Sequence, residues 1–452
     1  MNRVVVAAPA SGSGKTTVAT GLLGALRRRG TTVAPFKVGP DYIDPGYHAL
    51  AAGRPGRNLD PVLVGEQRIA PLFSHGAAGA DLAVVEGVMG LFDGQGTGSL
   101  GSTAHVARLL DAPVVLVVDA TGQGRSLAAL LHGFRSFDDS VRFAGVILNR
   151  VGSARHAEVL GEACAEVGLP VLGVLPRDAT TGVPCRHLGL VTAAEHADAA
   201  VSAVDSMVDL VEANVRLDEL CAAAAAPPLP GVAWDPSSEM EGYGGPRGVV
   251  AVAGGPAFTF GYAEHAELLA AAGAEVAVLD PLRDEALPEH TRGLVLPGGF
   301  PEVHAAELYA NGALREAVAG FAAAGHPVHA ECGGLLYLAR QLDGHPMCGT
   351  LDVLAEMSPR LRLGYRHAVA ATASHLYAEG ERVAGHEFHR TTVDPPHGAL
   401  PAWQWREHEG TVRKEGFVFG GVHASYLHTH PAGNPGAVGE FVRACVTAGA
   451  AR

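Results

Sequence analysis

Two stretches far apart in the chain have the residue types and spacing that chemistry needs. The first is Ser11-Gly12-Ser13-Gly14-Lys15-Thr16-Thr17, preceded by Val4-Val5-Val6 and followed by an amphipathic run. Small residues let backbone N–H groups converge on phosphate oxygens, and a following helix N-terminus adds its positive dipole end. Lys15 then reaches the outer phosphates, and the Thr16 hydroxyl meets a divalent cation. Gly12, Ser13, Gly14, Lys15, Thr16 and Thr17 are therefore the expected nucleotide contacts. The complete phosphate-loop pattern has Gly where Pro9 stands, so only its second half is matched. The competing reading is a Gly/Ser turn that happens to precede Lys-Thr.

The second stretch is Pro327-Val328-His329-Ala330-Glu331-Cys332-Gly333-Gly334-Leu335, read as strand, sharp turn and apolar helix with Cys332 at the turn. Small residues on either side, Ala330 and Gly334, permit the strained geometry of a nucleophile elbow. A thiol at a helix N-terminus is biased toward thiolate. Backbone N–H groups of Gly333 and of Gly299, in the turn Pro297-Gly298-Gly299, would form an oxyanion hole. A cysteine nucleophile needs a base, and Val422-His423-Ala424-Ser425-Tyr426-Leu427-His428-Thr429-His430 supplies imidazoles. Period two along a strand puts His428 and His430 on one face, with His428 as base and His430 as its orienting partner. A buried structural thiol and satisfied core imidazoles are the plainer alternatives. A zinc reading of the histidines finds no further ligands at metal spacing. Gly385-His386-Glu387-Phe388-His389 pairs acid and imidazole but is given no catalytic role.

Further candidates lie between the two stretches. Phe36-Lys37-Val38-Gly39-Pro40-Asp41-Tyr42-Ile43-Asp44 ends a strand in a dense polar turn, where α/β sheets place ligand-binding groups. Lys37 is a second cation for a phosphate or a substrate carboxylate; Asp41 and Asp44 either coordinate Mg²⁺ or orient groups that do. Both acids also suit an ordinary surface turn. Glu86, closing the strand Leu82-Ala83-Val84-Val85, is the expected direct or water-mediated Mg²⁺ ligand together with Thr16 and Asp44. Asp93 is a weaker candidate, with capping as its alternative. Asn149, at the end of Val146-Ile147-Leu148, either contacts an adenine edge or serves as a turn residue.

These residues need elements to hold them. Hydrophobic strands at 4–6, 32–38, 81–86, 112–119, 144–150 and 170–176 alternate with helices, implying a largely parallel, doubly wound α/β sheet. Residues 226–247, with Pro227-Pro228-Leu229-Pro230, read as a linker between a domain at 1–225 and a second α/β domain at 248–452. The length of 452 residues allows two or three cores. A formal charge of −14 argues against nucleic acid or an anionic membrane surface as partner. No apolar run reaches the ~20 residues of a membrane span, and the N-terminus enters a strand without a leader pattern. The six scattered cysteines suit a reducing cytoplasm.

At this point the sequence resembles a known family. The runs around Lys15, from Phe36 to Asp44, from Glu86 to Asp93, Glu331-Cys332-Gly333-Gly334 and Tyr426-Leu427-His428 are similar to those of cobyrinic acid a,c-diamide synthases. The resemblance runs nearly end to end. It implies a dethiobiotin synthetase-like ATP domain fused to a class I-like glutamine amidotransferase domain. It further implies ATP- and Mg²⁺-dependent amidation of two carboxylates of cobyrinic or hydrogenobyrinic acid, with glutamine as nitrogen source. Sibling amidotransferases, cobyric acid synthase or the enzyme amidating a nickel tetrapyrrole, are the nearest alternatives. A regulatory P-loop ATPase with an inactive second domain is the more distant one. A homodimer is left open. Class I triads carry His-Pro-Glu where this chain has His428-Thr429-His430, and the signature lysine of partition ATPases is replaced by Ala10.

Overall fold

The computed structural model describes residues 1–177, 185–186, 189–190, 192, 194–195, 197–243, 248–407 and 410–450. The chain divides into two compact units, Met1–Trp234 and Asp235–Arg452. The stretch expected as a linker is parted between them. Trp234 is buried within the first unit, its N–H donating to the Pro71 carbonyl and its ring edge-on to His75 at 5.0 Å. Asp235 caps the short helix Pro236–Glu239 in the second.

The first unit is built on seven strands: β1 (Asn2–Ala7), β2 (Val33–Val38), β3 (Arg57–Leu59), β4 (Leu82–Glu86), β5 (Val114–Asp119), β6 (Phe143–Val151) and β7 (Val171–Pro176). They lie in the order β3-β2-β4-β1-β5-β6-β7, and every pairing is parallel. Continuous valine runs in β1 and β5 are fully buried, as a sheet covered on both faces requires. Register then fixes the site: Val6 pairs with Glu86, and Glu86 with Lys37. The carboxyl ends of β1, β4 and β2 thus stand side by side, which is where open α/β sheets bind ligands. Helix α1 (Lys15–Arg28) leaves the loop after β1, and α2 (Asp44–Ala52) starts at an acidic residue followed by Pro45. The three-residue β3, too short to carry a hydrophobic period, was not foreseen.

The second unit has a six-stranded sheet containing β8 (Val249–Ala253), β9 (Glu275–Leu279), β10 (Thr291–Leu296), β11 (Val328–Glu331), β12 (Phe417–Phe419) and β13 (Val422–Ser425). Its order is β9-β8-β10-β11-β13-β12, parallel except for the last pair. A second sheet is dominated by the long hairpin Leu351–Ala370 and Arg382–Asp394. The expected single strand through His428 and His430 does not form. The chain leaves the first sheet after Ser425, and His428–Thr429 pair with Gly385 and His386 in the second. His430 then caps a 3-10 turn at Pro431–Gly433, since Pro431 fixes the backbone and ends the pairing. No helix among the described residues is long and apolar enough to cross a membrane.

One buried cation closes the first unit. Arg3 has no exposed surface, and its guanidinium donates to the carbonyls of Leu110, Met1, Pro227 and Asp111, joining the first strand to the end of the unit. Replacing it leaves several buried acceptors without a donor, so Arg3→Ala should destabilise the unit by about 2 kcal/mol or more, read as a lower denaturant midpoint. An unchanged midpoint would show that these carbonyls find other partners.

Candidate functional site

Each unit carries its own constellation. In the first, Gly12 and Gly14 take positive φ (78° and 99°), turning the loop into α1. A Cβ on Gly14 would lie 2.3 Å from Asn149 Nδ2, so only glycine fits there. Asn149 is spent on this loop: Nδ2 donates to the Ser13 carbonyl at 2.9 Å and Oδ1 accepts from the Arg150 N–H. The bond to Ser13 ties Asn149 to the phosphate loop, a contact that formed no part of the adenine or plain-turn readings. Lys15 folds over the loop, donating from Nζ to the Met89 carbonyl at 2.6 Å and to Ala10 at 3.4 Å. Met89 itself sits at φ 48°, a left-handed conformation unusual for its type.

The acids converge behind Lys15. Thr16 Oγ1 lies 2.7 Å from Glu86 Oε1 and 3.2 Å from Asp44 Oδ2. Lys37 Nζ bonds Asp44 at 2.6 Å, Glu86 at 2.8 Å and the Gly87 carbonyl at 3.2 Å, with Asp41 at 3.9 Å. Its side chain is almost entirely buried, so Lys37 neutralises acids instead of standing free for a phosphate. His48, absent from the sequence candidates, reaches the second Glu86 oxygen at 2.7 Å. It lies four residues beyond Asp44, one helical turn along α2, and that spacing is the signal that would have found it. Asp41 holds the turn, its Oδ1 accepting from the N–H groups of Ile43 and Asp44. Asp93 likewise closes a turn, accepting from the Gly90 N–H at 2.8 Å. Thr17 is the third residue of α1, at the mouth of the loop.

Lys37 therefore faces three carboxylates, those of Asp41, Asp44 and Glu86. Burial, and then the neighbouring Asp41 charge, push the Asp44 carboxyl up to about 7. Glu86 goes the other way: burial would raise it, but Lys37 and His48 hold it well below the usual carboxylate range. Thr16, Asp44 and Glu86 offer oxygen donors alone, the donor type that a hard divalent cation takes.

In the second unit, Cys332 takes φ 47° and ψ −100° at the start of the helix Gly333–Leu338. A Cβ on Gly334 would come within 2.1 Å of the Leu296 carbonyl, which is why the elbow needs glycine there. The Gly299 amide nitrogen is close enough that a Cβ on Gly333 would lie 2.9 Å from it. The structure thus brings together the two predicted oxyanion donors. Cys332 N–H donates to the Ser425 carbonyl at 2.7 Å, and β11 runs beside β13 with Glu331 paired to Ser425. That pairing delivers His428, fully buried, to Glu331, with Nδ1 3.6 Å from Oε2. His430 is elsewhere engaged: Nδ1 accepts from the Ala432 N–H, and its ring lies on Tyr262 at 4.1 Å. The orienting role expected of His430 is not supported by these contacts, because the proline turn directs it away. Glu387 is buried in ion pairs with Arg366 and Arg413, with His389 Nε2 3.6 Å away.

The thiol differs from the sequence expectation. Burial, reinforced by the Glu302 charge, pushes the Cys332 thiol far up, outweighing the Gly333 N–H that favours the thiolate. At pH 7 iodoacetamide should therefore modify Cys332 at least tenfold more slowly than a free cysteine, with the rate rising toward alkaline pH. Peptide mass spectrometry reads this directly, and fast labelling at neutral pH would contradict it.

Comparison with known proteins agrees with this division. Residues 4–191 match the CobQ/CobB/MinD/ParA nucleotide binding domain, and 249–435 the CobB/CobQ-like glutamine amidotransferase domain. The chain is 59% identical over 451 residues to hydrogenobyrinate a,c-diamide synthase of Mycobacterium tuberculosis, covering 98% of this chain and 97% of that one. The Streptomyces coelicolor protein of the same name is 58% identical over 478 residues, covering 98% of each. Cobyrinate a,c-diamide synthase of Gloeobacter violaceus is 44% identical, covering 98% of this chain and 97% of that one. The chain therefore belongs to the a,c-diamide synthase family of glutamine-dependent amidotransferases, with a nucleotide-binding unit followed by an amidotransferase unit.

Proposed function

We propose that this chain amidates the a and c carboxylates of hydrogenobyrinate, using ATP and glutamine. What carries the reading is the coexistence in one chain of a Lys15 phosphate loop and a Cys332 elbow whose neighbour Glu331 faces His428, in the setting of relatives so named. The metal-free corrin acid is favoured over cobyrinate by the higher identity of the relatives named for it, 59% against 44%.

In the first unit, ATP lies over the loop from Gly12 to Thr17. Lys15 exchanges the Met89 carbonyl for a phosphate oxygen. A substrate carboxylate oxygen attacks the γ-phosphorus, ADP leaves, and an acyl phosphate forms; positioning and charge neutralisation do most of this work. Thr16, Asp44 and Glu86 are the residues that would hold Mg²⁺, which when bound offsets the phosphate charge. Lys37 and His48 keep the two acids in place for it.

In the second unit, Cys332 Sγ attacks the glutamine side-chain carbonyl while His428 accepts the thiol proton. The tetrahedral oxyanion is held by the Gly299 and Gly333 N–H groups. His428 returns the proton to the leaving nitrogen, releasing ammonia and leaving a thioester. It then activates a water that releases glutamate. Ammonia displaces phosphate from the acyl phosphate and gives the amide.

The division of labour is testable by changing the nitrogen source. Cys332→Ser should lose glutamine-driven amidation by at least a thousandfold and keep ammonia-driven amidation within about threefold. Lys15→Ala should lose both by a hundredfold or more. Loss of the ammonia reaction in the serine variant would contradict separate sites, and an active alanine variant would contradict the loop assignment. Assaying metal-free against cobalt-containing corrin acid decides the substrate; preference for the cobalt form would favour cobyrinate.

A further inference from the structure

Class I triads carry Glu two residues after the base, where this chain has His430, yet a carboxylate stands beside His428. We infer that Glu331, the residue immediately before the nucleophile, is the positioning acid of the glutaminase, completing a Cys332–His428–Glu331 arrangement. The inference rests on the glutaminase reading of Cys332.

The geometry is that of a clasp. Glu331 Oε1 accepts from both the N–H (3.1 Å) and the hydroxyl (2.9 Å) of Thr429, the residue following the base. Oε2 is thereby turned to His428 Nδ1 at 3.6 Å. That is beyond a formed hydrogen bond and within ion-pair reach, a gap that catalytic contacts commonly close when substrate binds. One oxygen fixes the backbone of the base, and the other faces its ring. A carboxylate at Nδ1 selects the tautomer whose Nε2 is free to take a proton, and it stabilises the imidazolium that follows.

The rest of the pocket keeps this acid ionised and in place. Burial alone would raise the Glu331 carboxyl, but the His329 and His428 imidazoles on either side hold it well below the usual range. His329 Nε2 lies 3.4 Å from Oε1, and the Tyr377 hydroxyl donates to Thr429 Oγ1 at 3.5 Å. Behind Glu331 is a small cavity of about 30 Å³, room for a water, lined by His265, His329, Tyr377, Thr429 and His430 among others. Burial, and then His329, push His265 down to about 4, so near neutral pH it adds no competing positive charge. Placing the acid next to the nucleophile lets the end of β11 and the turn that follows it carry two of the three members. The base then needs only the parallel β13 pairing to arrive.

The decisive measurement is glutamine hydrolysis by Glu331→Gln, which keeps an oxygen for Thr429 and presents an amide to Nδ1. Turnover should fall by roughly a hundredfold or more with little change in the KM for glutamine, since tautomer and charge are lost and shape is kept. The acid limb of the kcat/KM profile should also move to lower pH, because an imidazole without its carboxylate protonates less readily. A purely structural role would lower activity without moving that limb. Ammonia-driven amidation should persist and serves as the folding control. Thr429→Val loosens the clasp and keeps the charge, so its turnover should fall severalfold even where the glutamine variant folds poorly. Turnover within threefold of wild type and an unmoved acid limb in Glu331→Gln, or full turnover in Thr429→Val, overturns the inference. If the wild type hydrolyses no glutamine in the presence of ATP and corrin acid, it is the glutaminase reading itself that fails.

Discussion

A carboxylate with no exposed surface is among the costliest groups a fold can hold, and in the first unit that group is Glu86. Its burial is tolerable because four elements contribute at once. β4 supplies the acid, β2 the Lys37 ammonium, α2 the His48 ring and α1 the Thr16 hydroxyl. Remove one and the others face an uncompensated charge, the situation in which a broken buried pair costs several kcal/mol. The parallel register of β1, β4 and β2 is therefore an electrostatic requirement as much as a packing one. The phosphate loop inherits its position from it.

The second unit meets a similar requirement with different parts. Its largely buried acid, Glu331, ends strand β11 and is matched by imidazoles and a threonine hydroxyl instead of a lysine. Cys332 is held in a strained turn beside it, and the surrounding core keeps that turn from relaxing. Both sites stand at carboxyl ends of parallel strands, yet one needs a cation held between acids and the other a proton moved along a line of groups.

How much of this was legible follows from how local each signal is. The phosphate loop, the elbow cysteine and Glu86 were readable because each combines a strand with a distinctive turn within about ten residues. Lys37 was readable as a site residue, but its burial between Asp44 and Glu86 was not, because that depends on strand order. Asn149 looked like any strand-end amide until β6 was seen to place it under Ser13. His430 misled because period two presumes an unbroken strand, and the chain changes sheets between Ser425 and His428. Glu331 went unremarked because a residue next to a nucleophile ordinarily points away from it; only the fold shows that His428 comes around to meet the carboxylate. The long hairpin from Leu351 to Asp394 carries no turn signal strong enough to reveal a pairing of that length.

The Lys15 ammonium is already largely removed from water in the folded chain. Its residue surface is 8% exposed, and its Nζ is bonded to two backbone carbonyls before any nucleotide arrives. The dehydration cost of that charge is thus met by folding and not by ligand binding. An arriving phosphate competes with neutral oxygens, not with bulk solvent, and it gains the full advantage of its own negative charge in a site of low dielectric. Neutral molecules of similar shape gain nothing from the exchange, so the bond to Met89 acts as a threshold that only an anion passes.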